Sequence, residues 1–106
     1  MAEVLLLEPA QRELEEIARL HRTLVGENSA RVITDLILDT LERLESFPMS
    51  GHMLRDRELR SLGYRYVIAG KYVCIYRTFA ETVYVYHIAH GASNYPALLK
   101  EKRPEG

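Results

Sequence analysis

Residues 71–90, KYVCIYRTFAETVYVYHIAH, decide the fold of this 106-residue chain. Val, Ile and Tyr fill the stretch, and this composition is typical of β-strands. The short connection Ala80-Glu81-Thr82 divides it in two. Because so short a connection joins antiparallel neighbours, we predict a hairpin of strands over residues 71–79 and 83–90.

The preceding stretch extends this pattern toward the N-terminus. All seven tyrosines of the chain lie between Tyr64 and Tyr95. A further strand is predicted over residues 59–68, joined to the hairpin through Ala69-Gly70. Residues 48–58 are polar and contain Gly51, so they are predicted to form a loop.

The N-terminal half has helical periodicity instead. The apolar run at residues 4–7 predicts a buried strand, and Pro9 suits a helix start because its missing N–H has no partner there. The first helix carries an apolar stripe: Ala10, Leu14, Ile17, His21 and Leu24. After a break at Gly26, Asn28 or Ser29 is the predicted N-cap of a second helix, which ends at Pro48. The second helix carries its own stripe: Ile33, Ile37, Leu41, Leu44 and Phe47.

The order of elements predicts an α+β fold, β-α-α-β-β-β. In it a helical hairpin packs on one face of a small, mainly antiparallel sheet, because each apolar face must be covered. Residues 1–106 are predicted to form one domain, since typical domains have about 100–150 residues. Residues 96–99 are expected to add a helical turn or an extended piece, and residues 100–106 a frayed polar tail.

Composition excludes several classes of protein. With 47% hydrophobic and 27% charged residues, the chain resembles ordinary soluble domains. Its single cysteine, Cys74, excludes an internal disulfide and is expected to be a small core residue. The histidines show no metal-ligand spacing, so we expect no metal or cofactor. Residues 4–7 are too short for a signal peptide or a membrane span, so a cytoplasmic protein without a membrane partner is expected.

The charges are unevenly divided. Residues 1–50 hold ten acidic residues and five arginines, whereas residues 51–106 hold nine basic and five acidic residues. Proteins that bind nucleic acid usually carry a strong excess of basic residues, because contacts to phosphates dominate their affinity. Residues 51–106 have only a local basic excess, so any contact with nucleic acid is expected through one face of this half of the chain.

Several local motifs occur in order over most of the chain: LEEI at 14–17, FP at 47–48 with Gly51, LRSL at 59–62, YVCIYR at 72–77 and IAHGASNY at 88–95. Two are the most telling: an aromatic-bounded strand that ends in Tyr76-Arg77, and a strand that ends in His90-Gly91. Taken together in this order, the motifs resemble the RelE/ParE toxin superfamily of type II toxin–antitoxin systems.

The resemblance implies a growth-arresting toxin, of the kind linked to plasmid stabilization, that a cognate antitoxin neutralises in a toxin–antitoxin hetero-oligomer. RelE-like members enter the ribosomal A site and cut mRNA, and ParE-like members inhibit DNA gyrase. A third alternative is a non-toxic relative that keeps only antitoxin binding. In each case, an amphipathic antitoxin segment is expected in the groove between the helical hairpin and the sheet edge.

A nuclease would need particular side chains. Metal-free RNA cleavage requires a base for the 2′-hydroxyl, cations for the phosphate and an acid for the leaving oxygen. The candidate catalytic residues, if the chain is a nuclease, are Arg60, Arg65, Lys71, His90 and Tyr95. Each of them has a structural alternative. His90 can bond the turn backbone, Tyr95 can anchor the C-terminal segment, Lys71 can be a turn lysine, and Arg60 and Arg65 can belong to a solvated basic face.

The candidate target-binding residues are Arg60, Arg65 and Arg77, which suit carboxylates or phosphates of a partner. Arg77 has a structural alternative as a cross-strand residue. RelE-type nucleases carry basic residues after the last strand, but residues 91–94 here are Gly-Ala-Ser-Asn. The sequence therefore favours the ParE-like alternative. His87 and His21 are both predicted at the edge of the core.

Overall fold

The computed structural model describes residues 1–101, so residues 102–106 of the predicted tail lie outside the described residues. The strands are β1 Glu3–Leu6, β2 His52–Met53, β3 Arg65–Ala69, β4 Tyr72–Phe79 and β5 Thr82–His90. The helices are α1 Glu8–Leu24, α2 Glu27–Glu42, α3 Arg57–Ser61 and α4 Pro96–Glu101, and a 3-10 turn at Arg43–Glu45 extends α2. None of the helices within residues 1–101 is long and apolar enough to cross a membrane.

The five strands form one sheet in the order β1-β5-β4-β3-β2. β1 pairs with β5 in parallel, and the other three pairs are antiparallel. α1 and α2 form a hairpin that packs on one face. The predicted α+β fold, with its helical hairpin on a mainly antiparallel sheet, is confirmed.

The central strand β4 is buried on both faces. Cys74 and Tyr76 join the core with residues of α1 and α2, such as Ile17 and Ile37. Ile75, between them, joins a second cluster on the opposite face, formed by Leu54, Leu59, Ile75 and Leu99. Because successive side chains of a strand point to opposite faces, a run as apolar as YVCIY requires cover on both.

The second helix starts at Glu27, two or three residues earlier than the sequence predicts. Its N-cap is Gly26, at φ +144°, and neither Asn28 nor Ser29 caps it. Glycine adopts this backbone conformation without the steric cost of a Cβ, so the turn from α1 is tight. Ser29 lies inside α2, where its Oγ is 3.0 Å from Nδ1 of His21.

The predicted strand over residues 59–68 is wrong in its first half, because residues 57–61 form α3. The carboxylate of Asp56 accepts a hydrogen bond of 3.1 Å from the N–H of Leu59, which caps this helix. The strand itself begins at Arg65. The predicted loop over residues 48–58 also contains β2, which pairs with the start of β3.

The ends of two predicted segments also differ. Phe47 does not continue the stripe of α2, which ends at Glu42; its side chain is 67% exposed, whereas Leu44 is buried in the 3-10 turn. A 3-10 turn changes the helical period, so the next side chain leaves the core. Residues 96–99 are helical, and α4 includes Lys100, whose Nζ lies 2.6 Å from Oδ2 of Asp56.

The two-residue turn between β4 and β5 yields a stability prediction. Ala80 and Glu81 both have φ +51°, a conformation that disfavours side chains with a Cβ. The double variant Ala80→Asn, Glu81→Gly is expected to raise the free energy of unfolding by about 1 kcal/mol, because Asn-Gly suits such turns. Urea unfolding measures the change. As a control, Glu15→Gly within α1 should lower the same quantity by about 1 kcal/mol; a loss of stability in both variants would contradict the explanation.

The ion pair between α3 and α4 yields a prediction on pH. The hydrogen bond from Lys100, and after it the one from the N–H of Leu59, lowers the pKa of Asp56 below its ordinary value of 3.8. A lowered pKa means that the folded state favours the ionised carboxylate, so its contribution is present above pH 3.8 and is lost on further acidification. Asp56→Ala is therefore expected to be less stable than the parent at pH 7. The difference, measured by urea unfolding, should shrink below pH 3.8; a difference that grows there would contradict this account.

Candidate functional site

The sheet face opposite the helical hairpin carries a cluster of aromatic rings around Arg77. The guanidinium carbon lies 4.6 Å from the ring centre of Tyr64, 4.8 Å from that of Phe79 and 5.2 Å from that of Tyr86. Its Nη2 donates to the hydroxyl of Tyr86 at 3.0 Å, and its Nη1 donates to the carbonyl of Leu62 at 3.1 Å. Arg77, Tyr64, Phe79 and Tyr86 are called the Arg77 cluster below.

Alternation along β5 places one of these rings. Val83 and Val85 lie in the core under the helical hairpin, so Tyr86 lies on the opposite face, where it packs against the cluster of Ile75. An irregularity follows: Ile75 pairs with His87, whereas Tyr76 pairs with Val85, so Tyr86 has no partner in β4. Such a bulge adds one residue to a strand and locally changes the direction of its side chains. After it, Ile88 rather than His87 joins the core under the hairpin.

Arg60 lies beside the Arg77 cluster. It is exposed on α3, two residues before Leu62, whose carbonyl accepts from Arg77. No contact of its side chain is found among residues 1–101. Two of the three predicted target-binding residues, Arg60 and Arg77, are thus brought to the same region, and the exposed side chains of Leu62 and Phe79 add apolar surface there.

Arg65 serves a different part of the molecule. It pairs with Tyr76 in the β3–β4 ladder. Its Nη1 donates to the carbonyls of Gly51 and Met49 at 2.8 and 3.3 Å, while the N–H of Gly51 donates to the Tyr76 hydroxyl at 2.9 Å. Burial raises the pKa of this hydroxyl, so it stays protonated. Arg65 therefore anchors the loop before β2.

Lys71 and His90 lie at the other end of the hairpin. Lys71 is an exposed turn residue whose carbonyl accepts from the N–H of Gly91 at 2.8 Å. Nδ1 of His90 accepts from the N–H of Ala92 at 3.1 Å, the turn contact that was its structural alternative. Because His90 pairs with Tyr72 and a strand rises about 3.3 Å per residue, these residues lie roughly 16 Å from Arg77 along β4.

Tyr95 lies near the middle of the same face as the Arg77 cluster. It packs against the second apolar cluster, and its ring centre is 6.4 Å from that of Tyr66. This position immediately precedes α4 and matches the expected anchor of the C-terminal segment. The five candidate catalytic residues therefore do not meet at one point.

The other chemically reactive groups are also held within the fold. Burial raises the pKa of the Cys74 thiol to about 12, so the thiol is protonated near neutral pH and is no ready nucleophile. No group of three or more His, Cys, Asp or Glu side chains within residues 1–101 is arranged to hold a metal ion. His87 is buried beside Glu13, a partner that the sequence did not indicate.

A second surface lies between α2 and the outer edge of β3. β2 pairs only with Arg65 and Tyr66, so the edge of residues 67–69 has no neighbouring strand among residues 1–101. A cavity of about 270 Å³ opens there, and Ile68 beside it is 58% exposed. The cavity is lined by Thr40, Arg43, Leu44, Ser50, Gly51, His52, Val67 and Ile68. We call this surface the β3 groove.

Comparison with known proteins identifies the family. The chain is similar to a solved structure of the chromosomal ParDE toxin–antitoxin system from P. aeruginosa, with a TM-score of 0.71 and 15% identity, over 85% of this chain and 96% of that chain. It is also similar to the toxin–antitoxin complex RelBE2 from Mycobacterium tuberculosis, with a TM-score of 0.61 and 19% identity, over 84% and 96% of the two chains. At such identities the likeness shows a shared fold.

A comparison with curated proteins finds no match. The model of one protein family, the ParE toxin of the type II toxin–antitoxin system parDE, matches residues 4–95. These residues include the whole helical hairpin and, apart from Glu3 at the start of β1, all five strands. The resemblance inferred from the sequence is therefore confirmed, and the chain belongs to the ParE toxin family of type II toxin–antitoxin systems.

Proposed function

We propose that this toxin arrests growth by binding DNA gyrase and that it does not itself cleave RNA. The observation that carries the proposal is the separation of the residues that a nuclease would need. Metal-free cleavage needs its base, cation and acid around one phosphate. Lys71 and His90 instead lie at the other end of the hairpin from Arg65: His90 pairs with Tyr72 and Arg65 with Tyr76, roughly 13 Å apart along β4. Arg65 is also engaged in anchoring a loop.

The Arg77 cluster, with Arg60 and Leu62, is the surface that we propose to contact gyrase. Arginine and large aromatic side chains are enriched among the residues that dominate protein–protein binding energy. Phe79 and Leu62 are 49% and 42% exposed, and Arg60 is exposed beside them. Arg77 is already fixed by Tyr86 and Leu62, so little side-chain entropy would be lost when a partner binds.

The β3 groove is the site proposed for the cognate antitoxin. An unpaired strand edge can accept an added strand, and the neighbouring apolar surface can receive alternate side chains of that strand. The groove lies between the helical hairpin and the sheet edge, where the sequence predicted an antitoxin segment. Gyrase and the antitoxin would then contact different surfaces of the toxin. Because both proposed partners are cytoplasmic, we propose that the toxin acts in the cytoplasm.

A double variant tests the gyrase proposal. Arg60→Glu with Phe79→Ala is expected to raise the toxin concentration that half-inhibits purified gyrase by at least about tenfold, because such interface residues contribute about 2 kcal/mol each. Arg31→Glu, an equal charge reversal on exposed α2, is the control and should leave inhibition unchanged. Circular dichroism checks that the variants fold.

Two results would overturn the gyrase proposal. Parent toxin that leaves gyrase fully active while primer extension finds new cuts in translated messages would establish the mRNA endonuclease alternative instead. Parent toxin that is folded and harmless in cells would favour the non-toxic relative.

A substitution in the β3 groove tests the antitoxin proposal. Ile68→Lys is expected to weaken binding to the small protein encoded by the adjacent reading frame by about tenfold, because a charge would replace an apolar contact at the edge. Titration calorimetry measures the Kd. Leu20→Lys, at an exposed apolar position on α1, is the matched control. If Leu20→Lys abolishes binding while Ile68→Lys does not, the antitoxin occupies another surface.

A further inference from the structure

A cavity of about 580 Å³ lies on the other side of the molecule, between α1, the second half of β5 and α4. Its lining includes Pro9, Glu13 and Glu16 from α1, His87 from β5 and Leu98 from α4. A volume of this size is typical of small-molecule and side-chain sites in proteins. None of the residues in the Arg77 cluster or the β3 groove lines it.

The polar inner wall of this cavity exists because β1 is short. β1 ends at Leu6, which pairs with Val85, so in the described part of the chain the rest of β5 has no strand on that edge. The carboxylate of Glu13 takes the place of a strand: Oε1 accepts from the N–H of Ile88 at 2.9 Å, and Oε2 lies 3.0 Å from Nδ1 of His87. Two contacts to neighbouring residues fix the position of the carboxylate.

The same contacts fix the chemistry of the His87 ring. An ionised carboxylate only accepts hydrogen bonds, so Nδ1 carries the proton and, in the neutral ring, Nε2 carries a lone pair. His87 is only 4% exposed. Every fully buried side-chain nitrogen or oxygen within residues 1–101 has a hydrogen-bond partner, whereas no hydrogen bond to Nε2 of His87 is found there. Nε2 is therefore not fully buried. Because His87 lines the cavity, Nε2 presents a hydrogen-bond acceptor to it.

We propose that this cavity binds the side chain of an arginine or lysine from a partner polypeptide. The cationic head donates to Nε2 of His87, with the carboxylates of Glu13 and Glu15, which also line the cavity, supplying negative charge beside it. The aliphatic stem lies against Pro9 and Leu98, as long basic side chains commonly pack. A cation is favoured over an anion here, because the inner wall holds an acceptor and carboxylates.

The arginines at the rim do not reverse this preference. Arg19 is paired with Glu16 at 2.9 Å, and Arg12 is paired with Glu8 at 2.6 Å. Their positive charge is thus compensated by carboxylates on the same helix. The proposal concerns a partner's basic side chain whichever target the toxin has, so it does not rest on the gyrase proposal.

The probe for the experiment is Nα-acetyl-arginine amide, and the matched control ligand is Nα-acetyl-citrulline amide, which has nearly the same shape without the charge. Each is titrated into the ¹⁵N-labelled full chain. The arginine derivative is expected to shift the ring nitrogen signals of His87 and the amide signal of Ile88 to saturation. The citrulline derivative is expected to bind far more weakly.

Adding the adjacent-frame antitoxin in a further titration distinguishes the two sources of the side chain. If the antitoxin supplies it, the His87 signals shift on complex formation and the arginine derivative no longer binds. If the complex leaves the cavity open to the derivative, the basic side chain comes from the toxin's target.

Paired variants locate the binding. Glu16→Gln is expected to weaken binding of the arginine derivative roughly threefold, since it leaves the positive charge of its partner Arg19 uncompensated beside the ligand. Glu27→Gln is the control, because Glu27 is also an exposed carboxylate paired with an arginine, Arg22 at 2.9 Å. Equal binding of both derivatives, equal effects of both variants, or saturating shifts that omit His87 and Ile88 would each overturn the proposal.

Discussion

The burial of β4 on both faces is the constraint on which the rest of this structure depends. Its side chains alternate between the core under the helical hairpin and the second cluster, and the strand is stable only when both are covered. α1 and α2 cover the first face. α3 and α4 are too short to fold alone, and they cover the second by burying Leu59 and Leu99. The Asp56–Lys100 ion pair then joins these two short helices.

The edges of the sheet determine where partners can bind. β1 and β2 are both short, so β5 and β3 each retain an edge that no strand covers completely. On β5 the carboxylate of Glu13 occupies the gap and bonds the N–H of Ile88, which leaves a polar cavity. On β3 nothing within the described residues occupies it, and the groove stays open beside α2. Two incomplete edges thus give two chemically different surfaces.

Much of the fold follows from the sequence because periodicity and composition report local physics. Alternation and Val/Ile/Tyr content predict the β4–β5 hairpin, and helical stripes predict α1 and α2. The candidate site was less accessible to the same reasoning. Arg77, Phe79 and Tyr86 share a face by simple alternation, but a bulge after Tyr86 decides that Ile88 rather than His87 joins the core under the hairpin. The spacing of residues along the sequence also does not reveal the contact between Glu13 and His87, because these residues are far apart in the chain.

The sequence by itself determined the order of elements, the central hairpin and the family, because these depend on short-range patterns and on motifs spread over the chain. Only the tertiary structure decided what each arginine does. Arg65 and Arg77 both lie in strands of the sheet, yet one anchors a loop and the other lies among aromatic rings. The difference arises from the face on which each side chain lies and from the loops packed there. A one-dimensional pattern does not contain that information, because contacts between distant residues form only when the sheet closes.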